Sequence, residues 1–227
     1  MVDFGFNQKT DLDFPYEASG VLKSLENWSG VEIATTGMGQ GIDVTPIQML
    51  SAYNALANGG VYVSPQIISS IAHSSGEKEY VATSPSRRVI GEQAAREMTQ
   101  MLAAVVSRGT ARKAGVPGYA IAAKTGTARK VQPNGTYEDE EGLYRYASTV
   151  VGYFPASAPE LSMIVIIDEP TDNFYASETA APLFGDLASW ALRHYKISPS
   201  SDLVYSVSTQ GETSNLTVDE SGSEGAQ

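Results

Sequence analysis

Gly118-Tyr119-Ala120-Ile121-Ala122-Ala123-Lys124-Thr125-Gly126-Thr127 is the stretch on which the reading of this 227-residue chain turns. Taken one way, it is a glycine-led loop running into Lys-Thr, the cradle of a nucleotide phosphate. Met163-Ile164-Val165-Ile166-Ile167-Asp168-Glu169 would then be the apolar strand whose acids hold a metal in a nucleotidase. Taken the other way, it is a β-strand that ends in Lys-Thr-Gly-Thr. The residues favour the strand. Ala123 stands where the loop needs a glycine before the lysine, Tyr119 and Ile121 are bulky β-formers, and Gly126 interrupts the helix that should open at Lys124-Thr125.

A strand ending in Lys124-Thr125-Gly126-Thr127 suits acyl transfer. A carbonyl under attack develops an oxyanion that wants backbone N–H donors, glycine lets a substrate come close, and an ammonium with hydroxyls suits a carboxylate. The local charge agrees: Arg108, Arg112, Lys113, Lys124, Arg129 and Lys130 fall in one run without an Asp or Glu. That basic run stands out in a chain of 15 basic and 26 acidic residues, net charge -11, and points to an anionic ligand. The acidic balance argues against a nucleic-acid footprint.

Outward from this strand the pattern is α+β. Residues 1–44 are rich in Gly, Asp, Ser and Thr and read mostly as loop, with Thr36 to Gly41 backbone-permissive. Thr45 is an N-cap with Pro46 at the first helical position, and Ile47, Leu50, Tyr53 and Asn54 share a helix face before Gly59-Gly60. The stretch Val61 to Ile71 and the polar turn His73 to Lys78 predict a hairpin or edge strand. A second helix opens at Glu92, places Met98, Met101, Leu102 and Val105 on one face, and closes at Arg108-Gly109.

Beyond the Lys124 strand, Pro133-Asn134-Gly135 and Glu138-Asp139-Glu140-Glu141 predict a solvated loop. The acids there are adjacent, without the alternation of a calcium loop. Tyr146 to Phe154 and Leu161 to Asp168 are predicted antiparallel strands, and a last helix from Ala181-Pro182 to Tyr195 carries Leu183, Leu187, Trp190 and Ala191 on one face. Residues 198–227 hold five acids and no Lys or Arg, with few apolar residues after Ser206; they are expected to be a disordered acidic tail after a folded domain of residues 1–197. There is no cysteine, the two histidines, His73 and His194, lie far apart, and no metal or cofactor is expected.

Several further segments fall in order: Phe4-Gly5-Phe6-Asn7-Gln8-Lys9-Thr10, Phe14-Pro15-Tyr16-Glu17-Ala18-Ser19-Gly20, Met38-Gly39-Gln40-Gly41-Ile42-Asp43 running into Val44-Thr45-Pro46-Ile47-Gln48, Ala55-Leu56-Ala57-Asn58-Gly59-Gly60, Gly109-Thr110-Ala111, Lys124-Thr125-Gly126-Thr127-Ala128, Val151-Gly152-Tyr153-Phe154-Pro155 and Ala180-Ala181-Pro182-Leu183-Phe184. With them the chain resembles the C-terminal half of the transpeptidase domain of class B penicillin-binding proteins, the bacterial peptidoglycan cross-linking enzymes. The resemblance implies a β-lactamase-like fold, a five-stranded antiparallel sheet with helices on both sides. It also implies a serine that attacks the D-Ala-D-Ala end of a stem peptide and is acylated by penicillins. Carried over, Lys124 and Thr125 would orient the carboxylate of substrate or β-lactam. Thr127 would add its hydroxyl to that contact and its backbone N–H to the oxyanion hole, and Gly126 would give close approach.

Two of the family's motifs, Ser-x-x-Lys and Ser-x-Asn, should precede Lys-Thr-Gly by a long way. No Ser-x-Asn occurs, and the one Ser-x-x-Lys, Ser75-Gly76-Glu77-Lys78, sits in a polar turn after the segments it should precede, so the nucleophile is expected to be absent. The opening residues read as mid-domain sequence, which predicts a fragment whose partner is an N-terminal transpeptidase segment carrying the serine. A non-catalytic lobe or interaction module is the alternative. By resemblance the site lies at the extracytoplasmic face of the bacterial membrane, reached only through the parent protein's anchor.

Overall fold

A computed structural model describes residues 1–12, 14–81 and 83–199. The expected acidic tail therefore lies outside the described residues from Ser200 onward. The described elements are β1 (Val21–Leu22), α1 (Glu32–Gly37), β2 (Ile42–Asp43), α2 (Pro46–Ala57), β3 (Val61–Val63), β4 (Ser70–Ala72), β5 (Lys78–Tyr80), β6 (Ser86–Arg88), α3 (Glu92–Arg108), β7 (Ala122–Arg129), β8 (Tyr146–Phe154), β9 (Leu161–Asp168) and α4 (Ala180–His194).

The Lys124 stretch is a strand, so the phosphate-loop reading is wrong: no helix opens at Lys124-Thr125, and β7 pairs antiparallel with β8 along its whole length. β8 in turn pairs antiparallel with β9, giving a three-stranded sheet in the order β7-β8-β9 where the resemblance implied five strands. The remaining strands are short pairs: β1 with β2, β3 with β6, and β4 with β5 across the His73–Glu77 turn. That last pair is the expected hairpin.

Close packing of β7 on β8 depends on small residues. Gly152 faces Ala123 across the ladder, and a Cβ at Gly152 would stand 2.4 Å from the Ala122 carbonyl oxygen and 2.6 Å from the Ala123 Cβ. One face of the sheet packs on α4, where Phe154, Val150 and Val165 meet Phe184, Ala188 and Leu192; the Phe154 and Phe184 rings lie edge to face with centroids 6.0 Å apart. The other face packs on α2 and α3 at one end, where Ala122 and Tyr153 meet Leu102, Tyr53 and Leu56. Tyr153 and Thr99 share a hydroxyl contact of 2.7 Å, and burial pushes the Tyr53 phenol up to about 12, so both rings stay neutral in this layer.

Thr45 caps the start of α2, whereas α3 and α4 start without a side-chain cap, and the buried faces of α3 and α4 are rotated from the apolar stripes. Thr45 and Gln48 form a reciprocal capping box on α2, and the buried residues there are Gln48, Ser51, Ala52 and Ala55; of the expected face, Ile47, Leu50 and Tyr53 are half-buried, with Tyr53 packed on the Tyr153 cluster, and Asn54 is exposed. Gln48 can be fully buried because both polar atoms of its side chain have partners. Its amide donates to the carbonyls of Gln8 and Ser19, and its oxygen accepts from Thr45 N–H, which ties the N-terminal loops to α2. In α3 the buried set is Ala95, Leu102, Ala103 and Val106, while Met98 and Met101 are exposed. In α4, Phe184, Ala188 and Leu192 are buried, whereas Leu183, Leu187 and Trp190 form an exposed stripe. Small residues, Ala52 and Ala55 in α2, Ala95 and Ala103 in α3, and Gly185 and Ala188 in α4, allow close approach, and Leu102, Phe184 and Leu192 fill the space between them.

The loop between β7 and β8 is solvent-exposed, as expected, and is also tethered. Asp139 accepts from the N–H groups of Leu143 and Glu141 and pairs with Arg145 at 2.7 Å, and these contacts, led by Leu143 N–H, hold its carboxyl below the usual carboxylate range. A lowered carboxylate contributes order above its unfolded pKa and loses it as pH falls through the lowered folded value. Asp139→Ala is therefore expected to reduce hydrogen-exchange protection at Leu143 and Glu141 at neutral pH while leaving Val150 unchanged. Acidification should produce the same loosening in the unsubstituted chain but add nothing in the variant.

Candidate acyl-transfer site

β7 carries Lys124, Thr125, Gly126 and Thr127 along a strand whose outer edge has no partner among the described residues. Alternation splits them between two faces. Thr125 and Thr127 look toward the α4 side, in register with Val150 and Ser148; Lys124 and Gly126 share the opposite face with Val151 and Thr149.

Both hydroxyls are held from behind. Thr125 Oγ1 lies 2.7 Å from Thr110 Oγ1, and Thr127 Oγ1 accepts from Ala176 N–H at 3.1 Å. Thr110 is placed by the end of α3: Gly109 and Ala111 both donate their N–H groups to the Val105 carbonyl, and a Cβ on Gly109 would stand 2.8 Å from that oxygen. Only glycine lets the chain fold back over the last helical turn so that Thr110 faces β7. Ala176 is placed by a segment that leaves β9 and docks on β7 and β8. Ser148 Oγ donates to the Phe174 carbonyl, and the Phe174 ring stacks on Tyr146 with centroids 4.2 Å apart. Nothing in the sequence marks Thr110 or Phe174-Tyr175-Ala176 as part of a site. Fifteen residues separate Thr110 from Thr125 and forty-nine separate Ala176 from Thr127, and no local periodicity signals such contacts.

The basic run divides when folded. Lys113 pairs with Glu178 and Lys130 with Asp168 and Glu169, so these two are neutralised. Arg129 lies over the Tyr144 ring at 4.0 Å. Among the described residues Lys124 reaches no carboxylate; its ammonium donates to the Thr125 carbonyl at 2.7 Å and stays exposed. A charge held only by a carbonyl and water is available to an anion that enters along the strand.

Gly126 answers no demand of the chain itself. A Cβ there would make only an ordinary 3.9 Å contact with Thr149. Its row across the sheet continues through Thr149 to Ile166, which is 44 % exposed, so this end of the face is uncovered where α2 and α3 do not reach. Ser75 lies in the exposed β4–β5 turn, where its hydroxyl accepts from Glu77 N–H, and Lys78 begins β5. An open recess of about 260 Å³ with Lys9, Tyr62 and Arg87 in its walls lies apart from these residues and touches none of them.

Comparison with known proteins shows what the chain is similar to as a whole. The family model described as the penicillin binding protein transpeptidase domain matches residues 1–189. The chain is 35% identical over 209 residues to the penicillin-binding protein PbpB of Mycobacterium tuberculosis, covering 88% of this chain and 30% of that protein. It is 34% identical over 219 residues to the stage V sporulation protein D of Bacillus subtilis, covering 95% of this chain and 33% of that protein. Among solved structures, penicillin binding protein 3 from Mycobacterium tuberculosis complexed with ampicillin superposes with a TM-score of 0.80 at 35% identity, over 88% of this chain and 46% of that one. The chain thus spans about a third of the curated relatives' length and under half of that solved chain.

Proposed function

This chain belongs to the penicillin-binding protein transpeptidase family, and from that premise we propose that it forms the carboxylate- and oxyanion-binding side of a serine acyl-transfer site used in peptidoglycan cross-linking. The observation that carries the reading is the free edge of β7, where Thr125 and Thr127 are each held from behind and Lys124 has no carboxylate partner among the described residues. Lys124 and Thr125 bind the terminal carboxylate of a D-Ala-D-Ala stem peptide or of a β-lactam. Thr127 adds its hydroxyl, its backbone N–H receives the oxyanion, and Gly126 leaves room for the ligand to lie against the strand.

The attacking serine comes from an N-terminal transpeptidase segment. Three features support this. No Ser-x-Asn occurs in the sequence, and its Ser75-x-x-Lys78 sits in a hairpin turn. The outer edge of β9 is unpaired among the described residues although the strand is apolar on both faces, with Met163, Val165 and Ile167 on one and Ile164 and Ile166 on the other; this is the composition of an inner strand, its one charge, Asp168, standing at the last position. The exposed Leu183, Leu187 and Trp190 stripe adds a further apolar surface to be covered. No helix among the described residues is long and apolar enough to cross a membrane. An extracytoplasmic position follows from the family reading, with any membrane attachment made through the N-terminal segment.

A fluorescent penicillin decides the reading. The chain mixed with the N-terminal segment is expected to yield covalent label on that segment's serine, and neither piece alone should be labelled. Label on this chain itself would overturn the missing nucleophile. Absence of label on a stably associated pair would favour the non-catalytic lobe.

A further inference from the structure

We propose that Thr110 is a positioning residue for ligand binding: its hydroxyl donates to Thr125 and so turns the Thr125 proton outward, toward a carboxylate. This deepens the reading above and rests on it. A carboxylate only accepts hydrogen bonds, so each hydroxyl that holds it must donate. At Thr127 the direction is settled by chemistry, since the Ala176 N–H behind it can only donate and leaves the Thr127 proton free to point outward. At Thr125 the partner is another hydroxyl, 2.7 Å away, and the pair can run either way. With an acceptor in front, Thr125 donates forward and accepts from Thr110. The result is a chain of hydrogen bonds, Thr110 to Thr125 to carboxylate, in which each bond polarises the next and the last is charge-assisted.

Thr110 is built into this position. Gly109 and Ala111 on either side are both anchored to the Val105 carbonyl at the end of α3, and Ala111 is fully buried, so the backbone of Thr110 has little freedom to turn away. Its contact is with the strand that binds the ligand, not with the ligand.

Benzylpenicillin and its uncharged methyl ester, titrated into the full 227-residue chain, test this; without a nucleophile they bind reversibly. Amide shifts of Thr125 and Thr127 report binding. Thr110→Val keeps the shape and removes the hydroxyl, and is expected to weaken benzylpenicillin about five- to tenfold while changing the ester less than about twofold, since the relay acts most strongly on a charged acceptor. Thr110→Ser restores the hydroxyl and is expected to return the affinity to within about twofold of the original. Equal affinity for benzylpenicillin in Thr110→Val and the unsubstituted chain would overturn the proposal. So would a parallel loss for acid and ester, which marks a merely structural role, or the absence of any shift at Thr125 and Thr127 in the unsubstituted chain. Serine labelling of the reconstituted pair judges the acyl-transfer reading separately.

Discussion

In the pair formed with the N-terminal segment, Lys124→Ala is expected to slow covalent capture of a fluorescent penicillin by about a hundredfold or more, the scale of losing a charged donor from a preorganised acyl-transfer site. The ammonium is exposed and held by one carbonyl, so its removal breaks no core contact. The variant should unfold at the same urea concentration as the original chain, which separates loss of function from loss of fold. Thr125→Val should fall in the same direction by a smaller factor, because the charge remains. Stopped-flow acylation rates across a penicillin series check both. A Lys124→Ala rate within about threefold of the original would remove Lys124 from the carboxylate site.

Phe184→Ala is expected to cost about 3–5 kcal/mol, the scale of emptying a well-packed aromatic site, and so to remove much or all of the net stability of a domain of this size. Phe184 is fully buried and meets Phe154 edge to face in the layer between α4 and the sheet. Leu183, the residue before it, is 42% exposed, and Leu183→Ala should change stability by no more than about 0.5 kcal/mol. Urea titration of the two variants tests the α4 orientation directly. Comparable losses would mean that α4 turns its Leu183, Leu187 and Trp190 side inward in solution.

That pair of neighbours marks where sequence reading stops. The existence and order of the main elements were legible because they depend on local chemistry: Thr45 and Pro46 start α2, Glu92 and Gly109 bracket α3, and the β-branched runs of β8 and β9 read directly as strands. The rotation of the helices was not. A stripe of Leu183, Leu187 and Trp190 looks like the buried face of a helix by apolar periodicity, yet α4 turns Phe184, Gly185 and Ala188 inward, and Gly185 lies against the Arg112–Ala114 turn, where a Cβ would stand 2.7 Å from the Lys113 carbonyl. Close approach selected the small residues, Phe184 and Leu192 fill the space beside them, and Leu183, Leu187 and Trp190 stay exposed.

The site divides in the same way. Residue order alone was enough to place Lys124-Thr125-Gly126-Thr127 on a strand, because β-forming residues and the alternation of a strand are local properties, but the expected strand end is the interior of β7, which runs on to Arg129. Residue order also sufficed to note that Ser-x-Asn is missing. Which lysines of the basic run stay available was a tertiary matter: Lys113 and Lys130 are matched by Glu178, Asp168 and Glu169 from distant segments, and Lys124 is matched by no carboxylate among the described residues. The same holds for the second partners of the hydroxyls. Thr110 reaches Thr125 because α3 ends against β7, and Ala176 reaches Thr127 because the chain beyond β9 folds back over Ser148. A hydrogen bond is fixed by distance and direction between atoms, and no pattern along the chain encodes either until packing has brought the segments together.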